Sequence, residues 1–180
     1  MIEIRESRKT ERLRLRPFSE SDEEDMFAFE SHPEVARYLY NEPRTRDDNA
    51  KELANRQQKT VLTKEGDTLM LAVELHSKVI GYVLLSWLSE RNRQGEFGYV
   101  LHPDLNGQGY ATEAAVEMLR IGFDELGLHR IVGRCDARNT GSSRVMQRIG
   151  LRKEAHFIEA EIFKGEWGEE LHYAMLESEW

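Results

Sequence analysis

The run Leu105-Asn106-Gly107-Gln108-Gly109-Tyr110-Ala111-Thr112 sets two glycines one residue apart, directly before an amphipathic stretch that continues to Leu126. Gly107, Gly109 and Ala111 keep side chains off the backbone, so successive N–H groups at a helix start can converge on one point. A helix N-terminus carries unpaired donors and roughly half a positive charge, which makes it an anion site; bare N–H groups in series suit a pyrophosphate. The same residues also serve a tight strand-to-helix connection that holds no ligand. The pattern is not a Walker A loop, lacking G-K-[ST], nor a G-x-G-x-x-G dinucleotide fingerprint.

Other reactive residue types read as structure. Cys135 alternates with Ile131 and Gly133, which makes it a buried strand cysteine rather than an acyl-carrying nucleophile. The 6 histidines lack metal-ligand spacing, His102 and His129 falling in loops, so no metal is expected. Glu113, Glu117 and Asp124 recur at helical spacing with Arg120 and read as a solvated helix face. Trp167, in Lys164-Gly165-Glu166-Trp167-Gly168, is expected either to anchor a hairpin or to border a binding pocket.

These residues need elements to position them. A chain of 180 residues is long enough for one domain with a real core, so residues 1–180 are read as a single domain. A hydrophobic share of 39%, a charged share of 32% and a mean hydropathy of -0.64 describe a soluble globular chain. The longest apolar run, Val79–Leu85, is too short to span a bilayer, and the first residues lack the apolar core of a signal peptide. A single cysteine fits the reducing cytoplasm. The net charge of -8 repels polyanions, which disfavours nucleic acid as the main ligand and mildly favours a cationic partner.

Leu13 and Leu15 alternate with arginines, the period of a half-buried strand ended by Pro17. Ser21 and Glu24 have capping-box spacing before Met26-Phe27-Ala28-Phe29, predicting a helix. A second helix within 46–59 is expected to bury Ala50, Leu53, Ala54 and Gln57; the rest of 31–66 is polar and reads as the variable, partly mobile part. Residues 68–75 and 79–87 are β-rich runs joined at His76-Ser77-Lys78, and 95–101 is a further strand closed by His102-Pro103. A helix over 109–126, with Ala115, Met118, Leu119, Gly122 and Leu126 on one stripe, ends at Gly127. A strand at 129–135, a short helix in 139–151, and strands near 153–163 and 169–177 complete the chain. The expected class is α/β, a mixed sheet with helices packed on it in the order β-α-α-β-β-β-α-β-α-β-β, with a locally parallel pair around the central helix.

Asn106-Gly107-Gln108-Gly109-Tyr110-Ala111 resembles the cofactor signature Q/R-x-x-G-x-G/A of the GNAT acetyltransferases, with Asn106 where Gln or Arg is usual. Asn139-Thr140-Gly141-Ser142 is similar to that family's N-x-x-S helix. The N-terminal block 10–29, His32–Leu39 and the closing block 159–176 look like the ribosomal-protein N-acetyltransferase (RimJ/RimL) type. The resemblance covers nearly all of the chain apart from about residues 41–66 and implies a central twisted mixed sheet flanked by helices. It also implies acetyl-CoA as cosubstrate, no metal, an amine partner and a possible homodimer.

By that resemblance, the amides of Gly107, Gln108, Gly109, Tyr110, Ala111 and Thr112 hold the pyrophosphate, with Asn106 beside them and the Thr112 hydroxyl adding a contact. The pantetheine arm lies along the strand ending at Val100-Leu101, where only the backbone acts and the side chains, with that of Tyr99, are sheet core. Asn139 either caps its helix or bonds the pantetheine. Ser142 is either a first-turn serine or the donor that protonates the leaving thiolate; Met146 stands where many relatives carry a tyrosine. Glu161 aligns with the general base and is otherwise a solvated strand carboxylate, with Glu96 in reserve and water as the remaining possibility. The implied activity moves acetyl from acetyl-CoA to a primary amine, a protein N-terminus or a small molecule, by direct attack in a ternary complex. A CoA-sensing module without catalysis is the alternative; a pure scaffold has no use for Gly107 and Gly109 before a helix.

Overall fold

Residues 69–73 (Leu-Met-Leu-Ala-Val) are all buried. An apolar run of this kind requires cover on both faces of its sheet. The computed structural model, which describes residues 1–180, supplies that cover. Its elements are β1 (Ile2–Glu3), β2 (Arg8–Lys9), β3 (Arg14–Arg16), α1 (Glu23–Glu30), α2 (Pro33–Ala36), α3 (Arg46–Gln57), β4 (Val61–Leu62) and β5 (Thr68–Leu75). Then follow β6 (Lys78–Ser89), β7 (Gln94–Leu101), α4 (Tyr110–Arg120), β8 (Arg130–Asp136), α5 (Thr140–Arg148), β9 (Arg152–Phe163) and β10 (Glu166–Leu176). An 8-stranded mixed sheet has the order β2-β3-β5-β6-β7-β8-β10-β9, and β1 pairs with β4 separately. Every pairing in the large sheet is antiparallel except β7 with β8, the pair joined through α4.

The two faces carry separate cores. Leu69, Leu71, Val73, Val83 and Leu85 pack with α4 and α5, while Met70, Ala72 and Tyr82 pack with Phe29 of α1 and Leu53 of α3. No helix is long and apolar enough to cross a membrane.

Several sequence expectations need correcting. The observed order is β-β-β-α-α-α-β-β-β-β-α-β-α-β-β; β1, β2 and β4 are two residues each, too short for any period to register. α1 is not started by Ser21 and Glu24. A 3-10 turn over Glu20–Asp22 precedes it, in which the Asp22 carboxylate accepts from Ser19 N–H at 2.8 Å and from the Arg16 fork at 2.7 and 2.8 Å. After Arg120 the helix widens into a π turn over Ile121–Glu125, burying Ile121 and Phe123 and leaving Leu126 at the margin. The acidic face of α4 is not solvated either: Glu117 pairs with Arg120 at 2.7 Å, and Glu113 accepts backbone N–H groups from Arg12 at 2.7 Å and Leu13 at 3.2 Å.

The largest departure is α3. It buries Asn49, Leu53 and Arg56, and exposes Ala50 and Ala54. The cause is Glu30 of α1, which is 1% exposed and meets Arg56 Nη2 at 2.5 Å and Arg44 Nε at 2.9 Å. Arg56 also pairs with Glu52 at 2.9 Å and stacks over the Tyr82 ring at 4.1 Å. Burying an alanine methyl gains about 0.8 kcal/mol, whereas an unpaired buried charge costs several. The charge therefore sets the rotation of the helix.

Replacing Arg56 by Met strands the Glu30 carboxylate with Arg44 alone and is expected to cost roughly 3 kcal/mol in urea unfolding. Adding Glu30→Gln should recover part of that loss. A cost under about 1 kcal/mol for Arg56→Met would show that this pair does not anchor the helix.

Candidate active site

β7 and β8 are neighbours for only part of their length. Their register runs Gln94↔Arg130, Gly95↔Ile131, Glu96↔Val132 and stops there. Beyond it β7 stays on β6 as far as Leu101, and β8 stays on β10 as far as Asp136. The two strands keep their outer partners and lose each other, which opens a gap in the middle of the sheet. Backbone direction alternates along a strand. The Arg93 carbonyl accepts from His129 N–H at 2.7 Å on the β8 side, and His102 N–H donates to the Ile80 carbonyl at 2.8 Å on the β6 side. Tyr99 and Leu101 therefore turn their N–H groups to the gap. Val100 turns its own toward Tyr82 on β6.

At the end of β7 a 3-10 turn over Pro103–Leu105 leads into the glycine turn. Gly107 and Gly109 have φ of 81° and 84°, the left-handed region in which a side chain is strained, and Gly109 is the cap of α4. Asn106, Gly107 and Gln108 are exposed, with Gly109, Tyr110, Ala111 and Thr112 half-buried behind them. The Thr112 hydroxyl oxygen is buried without any protein partner. An orphaned hydroxyl in the first turn of a helix, behind a side-chain-free loop, fits a phosphate ligand.

Across the gap, Asn139 caps α5, its Oδ1 accepting from Ser142 N–H at 3.0 Å. This is the capping role, and it leaves the amide nitrogen of Asn139 free of it. Ser142 lies near both Tyr99 and Cys135, and its hydroxyl acts to lower the pKa of each. Tyr99 packs against the core, and burial raises its pKa. Cys135 is half-buried rather than enclosed, because β8 is paired there with β10 but no longer with β7. Burial and the nearby Asp136 and Glu170 push its thiol up to about 11. Met146 is core.

On the face of the sheet toward α1, a cleft of about 170 Å³ has Glu96, Arg134, Glu170 and Glu161 among its lining, with Tyr38 and Tyr40 above. Both carboxylates singled out in the sequence, Glu161 and Glu96, border this one cleft. Glu96 is held in a fork by Arg134 at 2.8 and 3.0 Å. Glu161 accepts from the Tyr40 hydroxyl at 2.5 Å, and that carboxylate, helped by burial, raises Tyr40 to about 12. The sequence reading missed Tyr40 and Arg134. The first lies in the weakly patterned 31–66 segment. The second was readable, since an alternation that points Ile131, Gly133 and Cys135 one way points Arg134 the other. Trp167 is not a buried anchor: it stands 61% exposed beside Ile162 across the hairpin, outside the cleft lining. No group of three or more His, Cys, Asp or Glu side chains is arranged to hold a metal ion.

Residues 12–152 match the family model of the acetyltransferase (GNAT) domain. The N-acetyltransferase YnaD of Bacillus subtilis, itself uncharacterized, is 32% identical over 95% of this chain and 97% of its own length. The crystal structure of a GNAT-family acetyltransferase from Bacillus anthracis superposes with a TM-score of 0.85 at 31% identity, covering 97% of this chain and 100% of that one. A spermidine N-acetyltransferase from Vibrio cholerae, solved with CoA and spermine, shares the fold with a TM-score of 0.76 at 23% identity, over 93% of this chain and 97% of its own.

With its thiol raised to about 11, Cys135 is protonated at neutral pH. Its alkylation by iodoacetamide at pH 7.5 should run at least roughly 10²-fold slower than that of an ordinary thiol. The rate should climb about tenfold per pH unit until near pH 11. Cys135 is the sole cysteine, so the label reports one site; a rate within about threefold of free cysteine at pH 7.5 would contradict the assignment.

Proposed function

The chain belongs to the GNAT acetyltransferase family, and from that premise we propose that residues 1–180 act as one domain that moves acetyl from acetyl-CoA to a primary amine by direct attack in a ternary complex. The carrying observation is the end of β7–β8 pairing at Glu96↔Val132, with a glycine cradle at one end of the gap and a carboxylate-lined cleft at the other. The RimJ/RimL type is the subclass we favour, from the blocks at 10–29 and 159–176, with the reducing cytoplasm as the place of action.

Acetyl-CoA supplies an activated acyl group on a thiol leaving group. In this reading the amides from Gly107 to Thr112 and the orphaned Thr112 hydroxyl take the pyrophosphate. The Leu101 N–H, turned into the gap, polarises the acyl carbonyl. Ser142 gives a proton to the departing sulfur and regains one through Tyr99 or water. Asn139 holds the pantetheine region while it caps α5. A raised Cys135 thiol does not compete as nucleophile, which favours transfer without an acyl-enzyme.

Removal of the amine proton falls to Glu161. Arg134 forks both oxygens of Glu96, whereas the donor at Glu161 is a neutral phenol. An α-amine near 7.7–8.0 gives up its proton more readily than a lysine near 10.4 and is the easier acceptor. Glu96, Asp136, Glu161, Glu169 and Glu170 outnumber the single Arg134 around the cleft, which draws a cationic amine, a protein N-terminus or a small molecule.

The first test is a panel of such amines with acetyl-CoA, read by free thiol release; turnover with none of them would favour a CoA sensor. Glu161→Gln is expected to lower kcat by at least roughly 10²-fold with little change in CoA affinity, and higher pH should restore part of it. A loss below about threefold, beside a larger one for Glu96→Gln, would move the role to Glu96. Gly109→Asp adds a Cβ and a like charge in the cradle. It should weaken CoA binding more than about 10²-fold while costing about 1–2 kcal/mol of stability; unchanged affinity by calorimetry would remove the cradle from the site.

A further inference from the structure

The cradle lacks a cation of its own. Residues 106–112 contain neither Lys nor Arg, and the next residue, Glu113, places a carboxylate in the first turn of α4. CoA carries a pyrophosphate and a further phosphate, and the chain around it has a net charge of -8. A helix terminus offers only about half a charge in return.

A guanidinium arrives from elsewhere in the sequence. Arg12, just before β3, lays its side chain along the turn. Its Nε donates to Glu113 Oε2 at 2.8 Å and its Nη1 to the Gln108 carbonyl at 2.9 Å. Its Cζ stands 4.6 Å from the centre of the Tyr110 ring. The third nitrogen, Nη2, has no acceptor in the protein and lies 3.3 Å from where a Cβ on Gly109 would be. The guanidinium is fixed on one edge, through the Glu113 carboxylate that also takes Arg12 N–H, Leu13 N–H and the Thr10 hydroxyl. Its other edge faces the glycine whose bareness defines the cradle. The side chain is 41% exposed, so this edge is open to a ligand.

We propose that Arg12 is a phosphate-binding residue of the CoA site, its Nη2 completing the glycine cradle and its Nη1 holding the Gln108 carbonyl so that the turn is formed before the ligand arrives. This rests on the reading of Gly107–Thr112 as the CoA site. A planar fork suits the job: one edge can be spent on Glu113 while the other remains for an anion. Glu113 is then the carboxylate that aims the cation, and its own charge is neutralised in doing so.

The experiment compares two acyl donors on the full chain. Acetyl-CoA presents phosphates; acetyl-pantetheine has the same thioester and arm with none. Arg12→Gln should weaken CoA binding by calorimetry about 10- to 100-fold and leave kcat/KM for acetyl-pantetheine within about threefold. Raising the salt from 0.05 to 0.5 M should narrow the difference between wild type and variant, because the lost interaction is ionic. Arg12→Lys keeps the charge without the fork and should fall between the two, and it serves alone if Arg12→Gln does not fold. Unchanged CoA affinity in these variants overturns the proposal. So does an equal loss for both donors, which marks a disturbance of the acyl site or the fold rather than a lost phosphate contact. A wild-type protein that does not bind CoA overturns the cofactor-site reading beneath it, an outcome seen before any variant is made.

Discussion

The parallel ladder between β7 and β8 is the interaction on which the rest is arranged, because it is begun and then abandoned. A parallel pair is joined by a crossover, here α4, so the strand ends that separate are also the ends where the crossover helix begins. Unpaired N–H groups inside a sheet are costly unless something meets them. The gap beside Tyr99 and Leu101 therefore invites a ligand with acceptors of its own. Its lower boundary, Glu96↔Val132, fixes where the carboxylate cleft can be. Its upper boundary, the end of β7, fixes where the glycine turn and the N-terminus of α4 must stand.

β7 keeps close contact with β6 to its C-terminal end. A Cβ on Gly81 would fall 2.1 Å from the Val100 carbonyl oxygen and 2.8 Å from the Leu101 Cα. The absence of that carbon lets β6 press against the last residues of β7. On the other side, β8 follows β10 through seven registered pairs up to Asp136↔Glu170. Each inner strand is thus registered over a longer stretch outward than inward.

How much of this could be read from the chain depends on whether the requirement is local. Gly107 and Gly109 were legible, since a left-handed backbone before a helix is written in the residue types themselves. So were β5 to β8, to within a residue or two, and the start of α4, whose expected end falls on the π turn Ile121–Glu125 that follows it, from apolar period and from Pro103 and Gly127. Where a partner distant in sequence decides, the pattern misled. Ala50 and Ala54 looked like the inner face of α3, until Glu30 on another helix claimed Arg56. Glu113 and Glu117 looked solvated, although arginines of the first strands hold them. Tyr40 meets Glu161 across 121 positions of sequence, and no window placed on either residue contains the other. Composition locates backbone devices well and pair contacts poorly.

The same distinction resolves an apparent conflict between an acidic protein and an anionic cosubstrate. Net charge acts at long range and is screened beyond about 8–10 Å at ordinary ionic strength, so binding is decided by charges within the site. Arginines 8, 12, 14 and 16 each pair with a carboxylate. Where such pairs are exposed they contribute about 0–1 kcal/mol apiece, whereas the Arg16–Asp22 pair is largely buried. Their weight lies in direction more than stability, and Arg12 shows why: the carboxylate that holds it also aims its free edge at the turn. At the opposite end of the gap the balance is reversed, with Glu161 and Glu170 exceeding what Arg134 can offset. In the proposed reading, a positive end for phosphates and a negative end for an ammonium would orient the two substrates before any bond changes. On that reading the excess acid of the chain would serve the acceptor side and be held off the donor side by one guanidinium.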